Sequence, residues 1–155
     1  MMSKSIVLVG FILLFSCHEQ KERLFIKAPT KETGIVFKNS LTASDDVNIL
    51  DYLYYYNGGG VALGDINNDG LLDVFLSANQ LPNKLYLNKG NLTFEDISKK
   101  ALIEGNSSWN TGAIMGDING DGYKDIVLQM DGAQQWDENP YDYHPNFFIN
   151  SGSNV

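Results

Sequence analysis

The chain has 155 residues, with 11 basic and 19 acidic side chains, a net charge of −8 and a pI near 4.5. Length alone allows one ordinary domain, and the acidic balance excludes a sequence-independent grip on nucleic-acid phosphates, which takes clustered Lys and Arg. At 43% hydrophobic and 12% aromatic it is no disordered acidic tail, and its 15 glycines, most of them beside Asp or Asn, favour many short strands joined by turns.

Residues 1–16 read as a signal peptide. Lys4 supplies the positive start, and Ile6 to Phe15 is an apolar run broken only by Gly10. That run is too short to span a bilayer, which takes about 20 apolar residues. It ends in Leu14-Phe15-Ser16-Cys17. The ending resembles a bacterial lipobox, in which a small residue precedes a Cys that is acylated and becomes the mature N-terminus. A plain secretory signal with a chance Cys is the alternative. A secreted chain with a single Cys forms no internal disulfide, and lipidation of Cys17 accounts for that count. Cleavage removes one charge, Lys4, and leaves −9. Residues 17–33 then form a polar tether, His18 to Arg23 being its most charged part. Lys21-Glu22 loosely resembles the short charged signal that sends some lipoproteins of Bacteroidota to the cell surface. The expected location is therefore outside the inner membrane, held by lipid at the outer membrane or cell surface.

The rest of the chain, residues 34–155, reads as β. Ile35-Val36-Phe37 is a possible leading strand. Tyr52 to Tyr56 is an aromatic run of the kind that usually enters a core. Gly58-Gly59-Gly60 is not a phosphate loop, because no Lys-Ser/Thr follows and no helix opens there; tight strand packing near a propeller axis explains it better. Gly60 to Asp65, Asp73 to Ser77, Leu85 to Leu87 and the alternating Leu92 to Ile97 are four short strand signals. Asp96 to Glu104 is the one helix candidate, of a turn or two. Asp125 to Met130 and Phe147 to Ile149 are strand signals again.

This order reflects an internal repeat. Gly60 to Leu76 matches Gly112 to Leu128 at an offset of 52, with 9 of 17 positions identical. Pro82 to Gly90 matches Pro145 to Gly152 at an offset of 63, which puts 11 extra residues in the second copy. Repeats of this period mean a repeat architecture. About four short strands per unit is the pattern of a propeller blade.

Two loops carry the chemistry. Asp65, Asn67, Asp69, Leu71 and Asp73 stand at positions 1, 3, 5, 7 and 9 of the first. Asp117, Asn119, Asp121, Tyr123 and Asp125 take the same places in the second. Both read D-x-N-x-D-G-x-x-D. Side-chain oxygens at positions 1, 3, 5 and 9, with the carbonyl of position 7, suit Ca²⁺, which takes 6–8 oxygens at about 2.3–2.6 Å. Gly at position 6 permits the sharp turn. No His or Cys lies in either loop, which disfavours zinc and copper. Leu76 and Leu128 hold position 12, where an EF-hand needs a bidentate Glu, so these loops lie between strands. The plainer alternative is two Asx-rich hairpin turns without metal. Two bound Ca²⁺ would bring the mature charge from −9 to −5.

The Asp loops, the strands after them and the stretch Asn83 to Asp96 resemble FG-GAP-like, or VCBS, repeats. Tyr54 to Gly60, leading into the first loop, is similar to the repeat lipoproteins of Bacteroidota related to the cartilage acidic protein and UnbV-domain group. The resemblance spans Gly34 to Gly152. It implies a β-propeller, commonly of about seven blades, with Ca²⁺ in the Asp loops and roles in adhesion, ligand binding or scaffolding. Some such proteins carry appended enzymes. Two repeats cannot close a ring of ~4–8 blades, so the expectation is an all-β, partial propeller from a truncated longer protein, with assembly of several chains as the alternative.

No catalytic set is expected. The two histidines are His18 in the tether and His144 in the insertion, and no Ser-His-Asp or Cys-His group assembles around them. Metal ligation accounts for the paired carboxylates better than glycoside hydrolysis. The insertion, with Trp136, Tyr141 and Tyr143 among acids and amides, suits carbohydrate stacking, or else only packs on its own blade. The functional expectation is a calcium-binding, non-catalytic module on a lipid-anchored surface protein, binding a glycan or protein and no nucleic acid. The alternative is the N-terminal part of a surface enzyme acting on polysaccharides.

Overall fold

The computed structural model describes residues 23–105, 109–130 and 145–152. Residues 1–22, including Cys17, and the insertion with Trp136, Tyr141, Tyr143 and His144 lie outside the described residues. The element order is α1 (Thr30–Thr33), β1 (Val61–Gly64), β2 (Asp73–Leu76), β3 (Lys84–Asn88), β4 (Phe94–Asp96), β5 (Asn110–Gly116), β6 (Asp125–Met130) and β7 (Asn146–Phe148). They make two antiparallel sheets, β1-β2-β3-β4 and β5-β6-β7. The protein is therefore nearly all β.

The alternation read from the sequence sets the faces. In β2, Asp73 and Phe75 are buried while Val74 and Leu76 are half-buried. One apolar core joins the two sheets: Ala62, Ile66, Phe75, Leu85, Leu87, Ile97 and Ile103 from the first repeat meet Ile126 and Leu128 from the second. Area removed from water in such a cluster stabilises at roughly 25 cal/mol per Å². A smaller cluster of Tyr52, Tyr55 and Trp109 forms beside it, with both tyrosines in contact with the indole. Tyr54 and Tyr56 of the same aromatic run are exposed.

Glycine lets the sheets approach each other. A Cβ on Gly60 would lie 2.3 Å from the Ala113 amide nitrogen of the second sheet; within the first, one on Gly59 would lie 2.0 Å from the Ser77 carbonyl oxygen. Gly60 and Gly112 occupy equivalent places in the repeat, so the two copies touch at the position where neither has a side chain. Asn side chains reinforce the junction. Asn110 Nδ2 donates to Ala78 O at 2.8 Å and to Asn83 Oδ1 at 3.2 Å, and Asn150 Nδ2 donates to Ile66 O at 2.8 Å.

Several expectations change. Ile35-Val36-Phe37 is not a strand; the Val36 carbonyl instead accepts the Tyr86 hydroxyl at 2.7 Å. The strand expected over Leu92 to Ile97 shortens to Phe94–Asp96, because Asn91 and Leu92 take positive φ, 51° and 58°. The helix candidate around Ser98-Lys99-Lys100 is a set of turns, with Ala101 N donating to Ile97 O at 2.9 Å. The polar tether ends in α1, where Thr33 is buried. The repeat offset at β3 and β7 is 62, not 63, since Val74 pairs with Tyr86 and Ile126 with Phe148. Matching the two Pro-Asn pairs would slip the register by one and turn each side chain to the opposite face.

Asp96 and Ser98 fasten β4. Lys84 Nζ donates to Asp96 Oδ2 at 2.7 Å. The Ser98 hydroxyl donates to Asp96 Oδ1 and accepts the Leu85 N–H at 3.0 Å. Burial pushes the Asp96 carboxyl up, but the Lys84 ammonium and Ser98 outweigh it and hold the group below the usual carboxylate value. Ser98→Ala leaves the buried Leu85 N–H unpaired and should cost about 1–3 kcal/mol in urea unfolding. Lys84→Met removes an exposed pair and should cost about 0–1 kcal/mol at neutral pH. A lowered carboxyl stabilises the fold above its unfolded value and loses that contribution as pH falls through the folded one. Lys84→Met and the parent should therefore converge in stability on acidification below the usual carboxylate range.

Candidate cation loops

The two acidic loops share most of their local bonds. In the first, Asp65 at position 1 accepts from Asp69 N at 3.1 Å and Gly70 N at 2.8 Å. In the second, Asp117 accepts from Asp121 N at 3.1 Å and Gly122 N at 2.9 Å. Position 3 accepts from the N–H of position 5: Asn67 Oδ1 from Asp69 N at 3.3 Å, and Asn119 Oδ1 from Asp121 N at 3.0 Å. Position 5 accepts from the N–H of position 7: Asp69 Oδ1 from Leu71 N at 2.8 Å, and Asp121 Oδ1 from Tyr123 N at 2.9 Å. Asx side chains bonding backbone two residues on is local turn chemistry. Gly70 and Gly122 have φ of 86° and 90°, as the turn at position 6 requires. Position 4 is also left-handed, with Asn68 at 59° and Gly120 at 80°. Asn and Gly are the residues that tolerate this region.

Position 9 behaves differently. Asp73 and Asp125 are fully buried. Asp73 Oδ2 accepts Ile66 N at 2.9 Å and its Oδ1 accepts Asn88 N at 2.7 Å. Asp125 Oδ2 accepts Ile118 N at 2.9 Å and its Oδ1 accepts Asn150 N at 2.8 Å. Each carboxylate thus clamps the start of its loop to the strand two places on. Asn88 and Asn150 complete the clamp. Asn88 Nδ2 donates to Leu72 O at 2.9 Å, and Asn150 Nδ2 to Lys124 O at 3.3 Å. Their Oδ1 atoms accept Gly90 N at 2.9 Å and Gly152 N at 3.0 Å. The sequence reading did not assign these asparagines a role; the Asn that ends each apolar triplet was the available signal.

Protonation follows these contacts. Burial pushes the Asp73 carboxyl up against its two amide donors, and the nearby Asp69 and Asp65 charges add to the rise. At Asp125 the Ile118 and Asn150 N–H groups prevail and hold the carboxyl below the usual value. The Asn67 amide, with the Leu71 N–H, does the same for Asp69.

Positions 1, 3, 5 and 7 lie in the loop of each repeat, and position 9 is the first residue of the strand that follows. The donor set is all oxygen and suits a hard cation. Among the described residues, however, no three His, Cys, Asp or Glu side chains converge closely enough to hold a metal ion as they stand. The carboxylates are turned to the loop's own N–H groups instead.

A family model for the FG-GAP-like repeat matches residues 65–128. That span runs from position 1 of the first loop into β6. The two antiparallel sheets are consistent with propeller-like blades, and the match supports a repeat module. Cartilage acidic protein 1 of Xenopus tropicalis is 33% identical over 94 residues, covering 61% of this chain and 14% of that protein. The Mus musculus and Homo sapiens proteins of the same name are 36% and 34% identical over 73 residues, covering 47% of this chain and 11% of theirs. The chain thus matches only a small part, 14% or less, of the length of these relatives.

The clamp predicts an ordering of variants. Asp73→Ala leaves the buried Ile66 N–H and the half-buried Asn88 N–H unpaired and should cost at least about 2 kcal/mol in urea unfolding. Asp65→Ala, at a half-buried loop position, should cost less when no divalent cation is present. Equal costs would show that Asp73 holds nothing together.

Proposed function

We propose that this chain is a calcium-stabilised, non-catalytic binding or scaffold module, anchored by lipid at Cys17 to the surface of a bacterial cell. The observation that carries the calcium reading is the duplication of the whole donor set. Asp65, Asn67, Asp69 and Asp73 recur as Asp117, Asn119, Asp121 and Asp125 with the same local bonds. Asp73 and Asp125 fix each loop from inside, each accepting main-chain N–H groups on both oxygens. The carboxylates at positions 1 and 5 are exposed to solvent, except that of Asp65, which is half-buried. With the amide oxygen of position 3 and the carbonyl of Leu71 or Tyr123 they are the groups that would hold Ca²⁺. The ion would offset the mutual repulsion of three carboxylates in one loop.

The anchor reading rests on the Leu14-Phe15-Ser16-Cys17 sequence after a short apolar run. Residues 1–16 would be removed, part of 17–33 would act as a spacer, and the blades would stand outside the membrane. Trp136, Tyr141 and Tyr143 in the insertion are the proposed contacts for a glycan or protein ligand, because aromatic faces beside acids and amides suit sugar stacking.

Titration calorimetry of the mature chain in detergent should record Ca²⁺ uptake at two sites, with Asp65→Ala and Asp117→Ala together abolishing it. No uptake, or uptake indifferent to that pair, would contradict the calcium reading. Metabolic labelling with a fatty-acid probe should be lost on Cys17→Ala, and labelling that persists would refute the anchor.

A further inference from the structure

The sequence holds two Asn-Gly steps, Asn57-Gly58 and Asn119-Gly120. Such a step can rearrange without an enzyme. The glycine amide nitrogen, once deprotonated, attacks Cγ of the asparagine side chain. The Cγ–Nδ2 bond breaks, ammonia leaves, and a succinimide ring remains. Water then opens the ring at either carbonyl and gives aspartate or isoaspartate. The balance is water gained and ammonia lost. Glycine favours the attack because it has no Cβ to obstruct the ring.

The fold treats the two steps in opposite ways. Asn57 is exposed, and among the described residues its side chain has no hydrogen-bond partner. The Gly58 N–H donates to none of the described groups. A Cβ on Gly58 would meet nothing within 4 Å, so the ring has room. The peptide oxygen of this step, by contrast, is held: Asn79 Nδ2 donates to Asn57 O at 2.9 Å. When Gly58 N loses its proton, the negative charge spreads onto that oxygen. Asn79 is fully buried, so its amide is a preorganised donor aimed at the charge that develops.

Asn119-Gly120, at positions 3 and 4 of the second loop, is shut down. Asn119 Oδ1 accepts Asp121 N at 3.0 Å and its Nδ2 donates to Asp121 Oδ2 at 2.8 Å, which holds the side-chain amide in place. The nucleophile is occupied as well, because Gly120 N donates to Asp117 Oδ1 at 2.7 Å. A carboxylate there stabilises the N–H form and opposes the negative charge that its loss would create.

We infer that Asn57 is a site of self-modification in the folded chain, converted to aspartate and isoaspartate with the Asn79 amide promoting the step, while Asn119 is protected. The isoaspartate product adds a negative charge and one atom to the main chain. Gly59 and Gly60 are packed on Ser77 and Ala113 without slack, so the extra atom is taken up on the side of Tyr54 to Tyr56, where Tyr55 rests on Trp109. The inference does not depend on calcium or on the lipid.

The test incubates the full chain in detergent, in mildly alkaline buffer with a chelator. Peptide mass spectrometry follows each step by the mass gained when ammonia is exchanged for water. A second sample in urea gives each step's rate in the unfolded chain, where the two should be alike. In the folded chain Asn57 should match or exceed its unfolded rate, and Asn119 should fall at least about tenfold below its own. Asn79→Ser, in a chain that keeps the parent's circular dichroism, should slow Asn57 in the folded sample and leave it unchanged in urea; the comparison of folded and unfolded parent stands without this variant. A folded Asn57 slower than its unfolded counterpart, an Asn119 that keeps pace with Asn57, or a folded Asn57 indifferent to Asn79→Ser overturns the inference.

Discussion

A buried carboxylate at the ninth position of each acidic loop is the contact on which the rest of the blade depends. Asp73 and Asp125 have no exposure to solvent. Burying a carboxylate is expensive unless it is hydrogen-bonded. Here each oxygen accepts a main-chain N–H, and bonds to an ionised acceptor are about twice as strong as neutral ones. One of those N–H groups, from Ile66 or Ile118, opens the loop; the other, from Asn88 or Asn150, closes the third strand. Remove the carboxylate and the loop loses its fixed point on the sheet.

This clamp divides the acids of each loop into two kinds. Of the six loop aspartates, Asp73 and Asp125 face inward and work as structural acceptors. Asp69, Asp117 and Asp121 are exposed, Asp65 is half-buried, and all four accept from the loop's own amides. The net charge of −8 is therefore not one uniform surface property. Part of it is internal to the fold, and part is held in two small exposed concentrations where a hard cation would find only oxygen donors.

Much of this was legible in the sequence. The strand boundaries at Asp73 and Asp125 followed from the change from turn chemistry to apolar runs, and the structure keeps both. The repeat at an offset of 52 was visible because the loops constrain nearly every residue they contain. What escaped notice depends on contacts distant in sequence. Asn88 and Asn150 look like ordinary strand-ending asparagines until their partners at Leu72 and Lys124 are known. Asn79 and Asn83 are buried, bonding Asn57 O at 2.9 Å and Ala78 N at 2.9 Å, where composition would have put them on the surface. The left-handed residues at position 4 and at Asn91, Leu92 and Leu102 are set by turn geometry; glycine marks only some of these places, so the expected strand over Leu92 to Ile97 is too long and the expected helix after it is only a set of turns.

Amide hydrogen exchange tests the clamp most directly. In cation-free buffer the Ile66, Asn88, Ile118 and Asn150 N–H groups should exchange among the slowest in the molecule. Asp73→Ala should release Ile66 and Asn88 while leaving Ile118 and Asn150 slow. Fast exchange of all four in the parent protein would contradict the account, because it would mean that the buried carboxylates hold no amides at all.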